Sequence, residues 1–161
     1  MSYATARRWV RLAIATTALG MSLGYLATPT EPVAADPSRT GVTLTLHNAP
    51  GRHEGTWSGQ GGVTDFGSWT ASGPCPGRGA PVFTCHFSPL TVVGQVGTIT
   101  MEGESEFTAT SDPNVYTERG TWHIVSGDGL YTGIGGEGTT SATLDFAAPQ
   151  TTLLLQGEVT N

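Results

Sequence analysis

Lysine is absent from the stretch Asp36 to Asn161, whose four arginines are Arg39, Arg52, Arg78 and Arg119. Twelve Asp and Glu residues stand against them, a formal charge of −8. A nucleic-acid partner needs cationic side chains to displace the counterions of its phosphates. The shortage of such residues excludes that class, and it disfavours adhesion to an anionic membrane surface. Acidity of this kind favours solubility outside the cell. Helical periodicity of useful length is also missing, as is a G-x-S-x-G nucleophile elbow. The histidines His47, His53, His86 and His123 form no H-x-x-H or other close ligand pair. Without metal-ligand spacing, no metal or other cofactor is expected.

Cysteine is scarce: Cys75 and Cys85 are the only two. As a zinc pair they are poorly spaced, with only His86 nearby. In an exported chain an even count reads as one disulfide, closing the Gly/Pro-rich loop GPCPGRGAPVFTC. Long apolar runs are equally rare. One, Leu12 to Ala27, follows Arg7, Arg8 and Arg11 and leads to Val33-Ala34-Ala35. Charge, apolar run and small residues in that order are the layout of a secretory signal. The run of about 16 residues is short for a spanning helix, which needs roughly 20. Cleavage after Ala35 is expected, giving a signal peptide at 1–35, one domain at 36–161 and no membrane insertion afterwards; an uncleaved anchor is the alternative. Arg7-Arg8 raises twin-arginine export, but Trp9-Val10-Arg11 fits that pattern poorly.

Thr, Ser, Val and Gly dominate what remains, in short alternating segments broken by turn residues. All-β sandwiches and barrels read in this way. The longest alternation, GTITMEGESEFTAT, sets Thr98, Thr100, Glu102, Glu104, Glu106 and Thr108 on one face. Ile99, Met101, Gly103, Ser105 and Phe107 lie on the other. About eight strands fit, joined mostly by short turns, with positive-φ positions for a tight hairpin at Gly127-Asp128-Gly129. A small antiparallel up-and-down barrel removes the open edges that such a chain would expose; a β-sandwich is the alternative.

Gly133, Gly135 and Gly138 spell G-x-G-x-x-G. A dinucleotide loop needs a helix after the glycines to hold the pyrophosphate, and here TTSATLDF follows, β-branched and alternating. The glycines are expected to serve backbone geometry. The wider run from Gly127 to Gly138, G-x-G-x-Y-x-G-x-x-G-x-G preceded by GTWHIV, resembles the strand and turn of the allene oxide cyclase and dirigent barrel group. It is closer still to secreted bacterial proteins sharing that barrel, whose N-terminal strand pair GTWSGQGGVTDFGSW also resembles. The resemblance implies a small antiparallel barrel, admits an oligomer, and carries no catalytic residue across.

Of the residues that can carry chemistry, Glu118 shares a face with Tyr116, Gly120, Trp122 and Ile124 in VYTERGTWHIV. Buried there, it would be a general acid or base with a raised pKa. The commoner outcome, expected here, is a strand-end carboxylate in water or paired to an arginine. Asp65, beside Gly67, reads as a turn residue, and Glu102, Glu104 and Glu106 as a solvated outer face rather than a calcium site. His123 points outward. Trp57, Trp69, Tyr116, Trp122 and Tyr131 are the expected lining of an interior that holds a small apolar molecule. The alternatives are an isomerase or cyclase of the resembled type and a cell-surface structural module.

Overall fold

The computed structural model describes residues 38–76 and 79–161; the expected signal peptide and its cleavage point lie outside the described residues. Eight antiparallel strands close into a barrel in chain order. They are β1 Arg39–Asn48, β2 Glu54–Gly61, β3 Phe66–Ala71, β4 Val82–Val93, β5 Thr98–Ala109, β6 Val115–Gly127, β7 Gly135–Asp145 and β8 Thr151–Thr160. Closure comes from β1 pairing with β8 over its whole length, Arg39 opposite Thr160 and Asn48 opposite Thr151. No sheet edge is left unpaired by this arrangement, which is how a Thr/Gly-rich sheet avoids edge-to-edge association. Among the described residues no helix is long and apolar enough to cross a membrane.

Alternation sets what faces inward. On β5 the buried Ile99, Met101 and Ser105 share a face with Phe107, as the pattern predicts. On β6 the inward set is Tyr116, Glu118 and Trp122. Leu46, Val92, Ile99, Met101 and Leu155 have no exposed surface and form the centre of the core with Trp122. β4 runs unbroken through Pro89, with a register shift between Phe87 and Leu90. The irregularity sits where proline lacks the N–H that a regular ladder requires.

Three indoles fit inside this narrow barrel because glycines face them. Trp57 lies opposite Gly67, Trp69 opposite Gly55, and Trp122 between Gly103 and Gly138. A Cβ on Gly55 would stand 1.8 Å from the His47 carbonyl oxygen and 2.9 Å from Trp69 Nε1; one on Gly67 would stand 2.0 Å from the Val93 oxygen. These glycines supply space, and the aromatic rings cover the backbone they bare. Each indole N–H donates to a carbonyl: Trp57 to Val93 at 3.0 Å, Trp69 to His47 at 3.1 Å, Trp122 to Thr139 at 3.2 Å. Burial of the rings therefore leaves no indole donor unmatched.

The glycine run around Gly133 leads into β7, not into a helix, so the dinucleotide geometry is absent. The tight hairpin expected at Gly127–Gly129 is replaced by a longer connection, residues 128–134, containing a 3-10 turn at Gly129–Tyr131. The reason lies in its side chains, since Tyr131 and Ile134 turn back into the core and plug this end of the barrel. Positive φ is needed at Gly129 (61°) and Gly133 (85°). Gly135 has no such need, and a Cβ there would meet only Thr160 Oγ1, at 3.0 Å.

Candidate functional site

The two ends of the barrel differ. One is filled by Trp57, Val63, Tyr131 and Ile134. The other holds a cavity of about 330 Å3. Trp69, Phe83, Phe87, Leu90, Phe107 and Leu153 form much of its wall, with Leu144 at the end of β7 and Phe146 just after it. Its rim carries Asn48, Gly51, Arg52 and His53 from the end of β1 and the loop to β2, the paired Cys75 and Cys85, His86, and Thr151 and Thr152. Cys75 and Cys85 form the expected disulfide, which ties the loop before β4 against that strand.

At depth the apolar wall is interrupted by Glu118 and Ser105. Glu118 stands opposite Phe107 on β5 and Ala142 on β7, and is 2 % exposed. The expectation of a solvated or arginine-paired strand-end acid is therefore corrected. β6 continues on both sides of Glu118, so the register holds its side chain inside a closed wall, and no arginine is among its partners. The Thr140 hydroxyl donates a short hydrogen bond to Oε1. Ser105 Oγ lies 3.1 Å from Thr140 Oγ1. Thr140 has one proton, and when it gives that proton to Oε1 it must accept from Ser105, so the three groups form a chain ending on the carboxylate. The other oxygen, Oε2, is buried with no partner. Burial pushes the Glu118 pKa up; the Ser105 and Thr140 hydroxyls pull it down, and burial prevails.

Gly120, one inward position below Glu118, explains how polar groups collect here. It stands opposite Ser105 and Thr140, and a Cβ on it would lie 2.7 Å from Ser105 Oγ. Its missing side chain leaves room for the two hydroxyls to meet across β6.

Trp69 lines the cavity. Tyr116 sits behind the wall, its ring edge-on to Phe83 at 5.5 Å and to Phe146 at 6.0 Å. Trp57, Trp122 and Tyr131 are packed in the core and do not line the cavity. The wall is built instead largely from phenylalanines that the sequence reading passed over, with Phe83 stacked on Phe107 at 4.9 Å. A signal for them existed: Phe83, Cys85 and Phe87 alternate on one face, and Phe107 shares a face with Met101 and Ser105.

Asp65 occupies the turn position expected of it, yet does more there. Its carboxylate accepts N–H bonds from Phe66 (2.8 Å), Gln95 (3.0 Å) and Val96 (3.3 Å), and the Tyr131 hydroxyl at 2.9 Å. Burial pushes its pKa up, but these donors together outweigh burial and hold it below the usual value. Its own burial, with the same contact to Asp65, pushes Tyr131 up to about 12. Glu104 and Glu106 are exposed on the outer face; His86 lies 3.6 Å from Glu104, and the outward His123 4.0 Å from Glu102. Among the described residues no group of three or more His, Cys, Asp or Glu is placed to hold a metal ion.

No protein-family model, no curated protein and no solved structure matches the chain.

Proposed function

We propose that this protein is an exported carrier that holds a small apolar molecule in the open end of its barrel. The observation that carries this reading is the cavity itself: an aromatic and aliphatic wall around about 330 Å3, with few polar groups at depth. Ligand sites are typically concave, mostly apolar and about 300–1,000 Å3, with a small number of placed polar groups. The disulfide and the charged, apolar and small-residue order of the first 35 residues support export. Native mass spectrometry of protein purified from its own secretome tests it. A retained small molecule, lost when Leu90→Trp fills the cavity, is the expected result. A bare chain that also fails to take up apolar probes overturns the reading.

A second reading has one observation in its favour. A carboxyl group buried in the hollow with a raised pKa is suited to proton transfer, as an isomerase or cyclase of the allene oxide cyclase or dirigent type would require. Conversion of the retained molecule by wild type, abolished in Glu118→Gln while binding persists, would favour the enzyme over the carrier.

A further inference from the structure

The orphaned oxygen of Glu118 restricts what can occupy the cavity. Oε2 is buried and unpartnered, while Oε1 is already engaged by Thr140. A purely hydrocarbon ligand would leave this oxygen with nothing to bond to, which is unfavourable for any buried polar group. We infer that the ligand is an uncharged ring or chain hydrocarbon bearing a hydroxyl at its inner end, and that this hydroxyl pairs with Glu118 Oε2. The inference rests on the cavity being a ligand site at all.

Three features select a hydroxyl over other polar groups. A hydroxyl both donates and accepts. It can donate to Oε2 of the carboxylate, and it can accept from Oε2–H or donate to the carbonyl oxygen of the neutral acid. An ammonium group matches only the ionised form, which burial disfavours here. A ketone matches only the protonated form and loses its partner when Glu118 ionises, whereas a hydroxyl pairs with both forms. The rim also opposes a cation: Arg52 lines it, and Glu118 is the only carboxylate among the residues lining the cavity. Finally, a hydroxyl extends an existing chain, since Ser105, Thr140 and Glu118 are already linked and Oε2 is where the linkage stops.

The test uses three probes of nearly equal size on the folded protein at pH 6: naphthalene, 1-naphthol and 1-naphthylmethylammonium. Dissociation constants come from probe fluorescence and calorimetry. In wild type, naphthol should bind about five- to tenfold more tightly than naphthalene, as expected for one net hydrogen bond in a dry site. Glu118→Leu should bring naphthol down to the affinity of naphthalene, and Glu118→Gln, which keeps a donor and an acceptor, should retain most of the preference. Circular dichroism and melting confirm that both variants fold. Naphthalene binding with no naphthol preference overturns the inference and leaves the carrier reading standing. Tighter binding of the ammonium probe overturns it in favour of an ionic site. A naphthol preference that survives Glu118→Leu assigns the hydroxyl to another group and overturns it as well. Failure of all three to bind removes the cavity as a ligand site and the inference with it.

Discussion

Each end of the barrel buries one carboxylate, and the two are treated in opposite ways. Asp65 at the plugged end meets three backbone N–H groups and a tyrosine hydroxyl. Glu118 at the hollow end has one bonded oxygen and one bare one. Neither has a cationic partner, so the difference in their titration comes from burial set against donors: Glu118 is the more deeply buried and has the fewer donors. Where donors outnumber lone pairs left over, the charge is favoured and the pKa falls; where they run short, burial prevails and the pKa rises. The plugged end has the saturated network of a structural clamp. The hollow end keeps hydrogen-bonding capacity in reserve, as the proposed ligand site requires.

The largest effect should come from removing the clamp. Asp65→Ala leaves the N–H groups of Gln95 and Val96 and the Tyr131 hydroxyl without their acceptor, and should destabilise the fold by about 3–5 kcal/mol in urea denaturation at pH 7. The loss should shrink under acid. The part of that stability tied to the Asp65 charge is complete above its ordinary value of 3.8 and is lost as pH falls through its lowered folded value. A variant as stable as wild type at pH 7 would remove the contrast between the two ends.

Next in size is the disulfide at the rim. Cys75 and Cys85 close a loop of sequence separation 10; the paired substitution to serine should cost about 2–3 kcal/mol, mostly by freeing the unfolded chain. Because the bond borders the cavity, probe affinity should weaken as well, whereas Asp65 variants that remain folded should bind normally. Equal loss of binding from both would show that the ends are not independent.

Tyr131→Phe deletes one donor to Asp65 and keeps the ring that plugs the barrel. About 1–2 kcal/mol should be lost in thermal or chemical unfolding at pH 7. The change should also raise the Asp65 pKa, measurable by carboxyl NMR titration.

The smallest effect has the opposite sign. Folded Glu118 holds its proton more tightly than unfolded Glu118, so stability falls as pH rises from the ordinary value of 4.5 through the raised folded value. Glu118→Gln should therefore be more stable than wild type at pH 8, by about 1 kcal/mol, and equal to it near pH 4. Destabilisation at both pH values would mean that Oε2 has a partner after all, and the two carboxylates would then be alike.

The fold was legible because alternation is a local property. β5 and β6 show their inward faces residue by residue, and the first GTW and the GSW carry Gly55 and Gly67 because each glycine faces the other motif's tryptophan. The two carboxylates were not legible in the same way. Asp65 receives donors from Gln95 and Val96, about thirty residues later in the chain, and no local pattern announces a turn on a neighbouring strand pair. The burial of Glu118 depends on the register that sets Ser105 and Thr140 on either side of Gly120. The hollow was misjudged for a related reason. Trp and Tyr suggested a lining, but closure places Trp57, Trp122 and Tyr131 in the filled part, and one end differs from the other because Tyr131 and Ile134 of the β6–β7 connection fold back into it.

Closure by β1 and β8 also orients the molecule. Arg39 and Thr160 face each other at the plugged end, while Asn48 and Thr151 meet at the rim of the hollow. The described chain therefore begins and finishes at the pole farthest from the cavity. A tether, tag or neighbouring domain attached at either point would leave from that pole. A barrel held at Arg39 or Thr160 would present its mouth away from the support. A peptide joining Thr160 to Arg39 would permit new ends to be cut elsewhere without crossing the mouth.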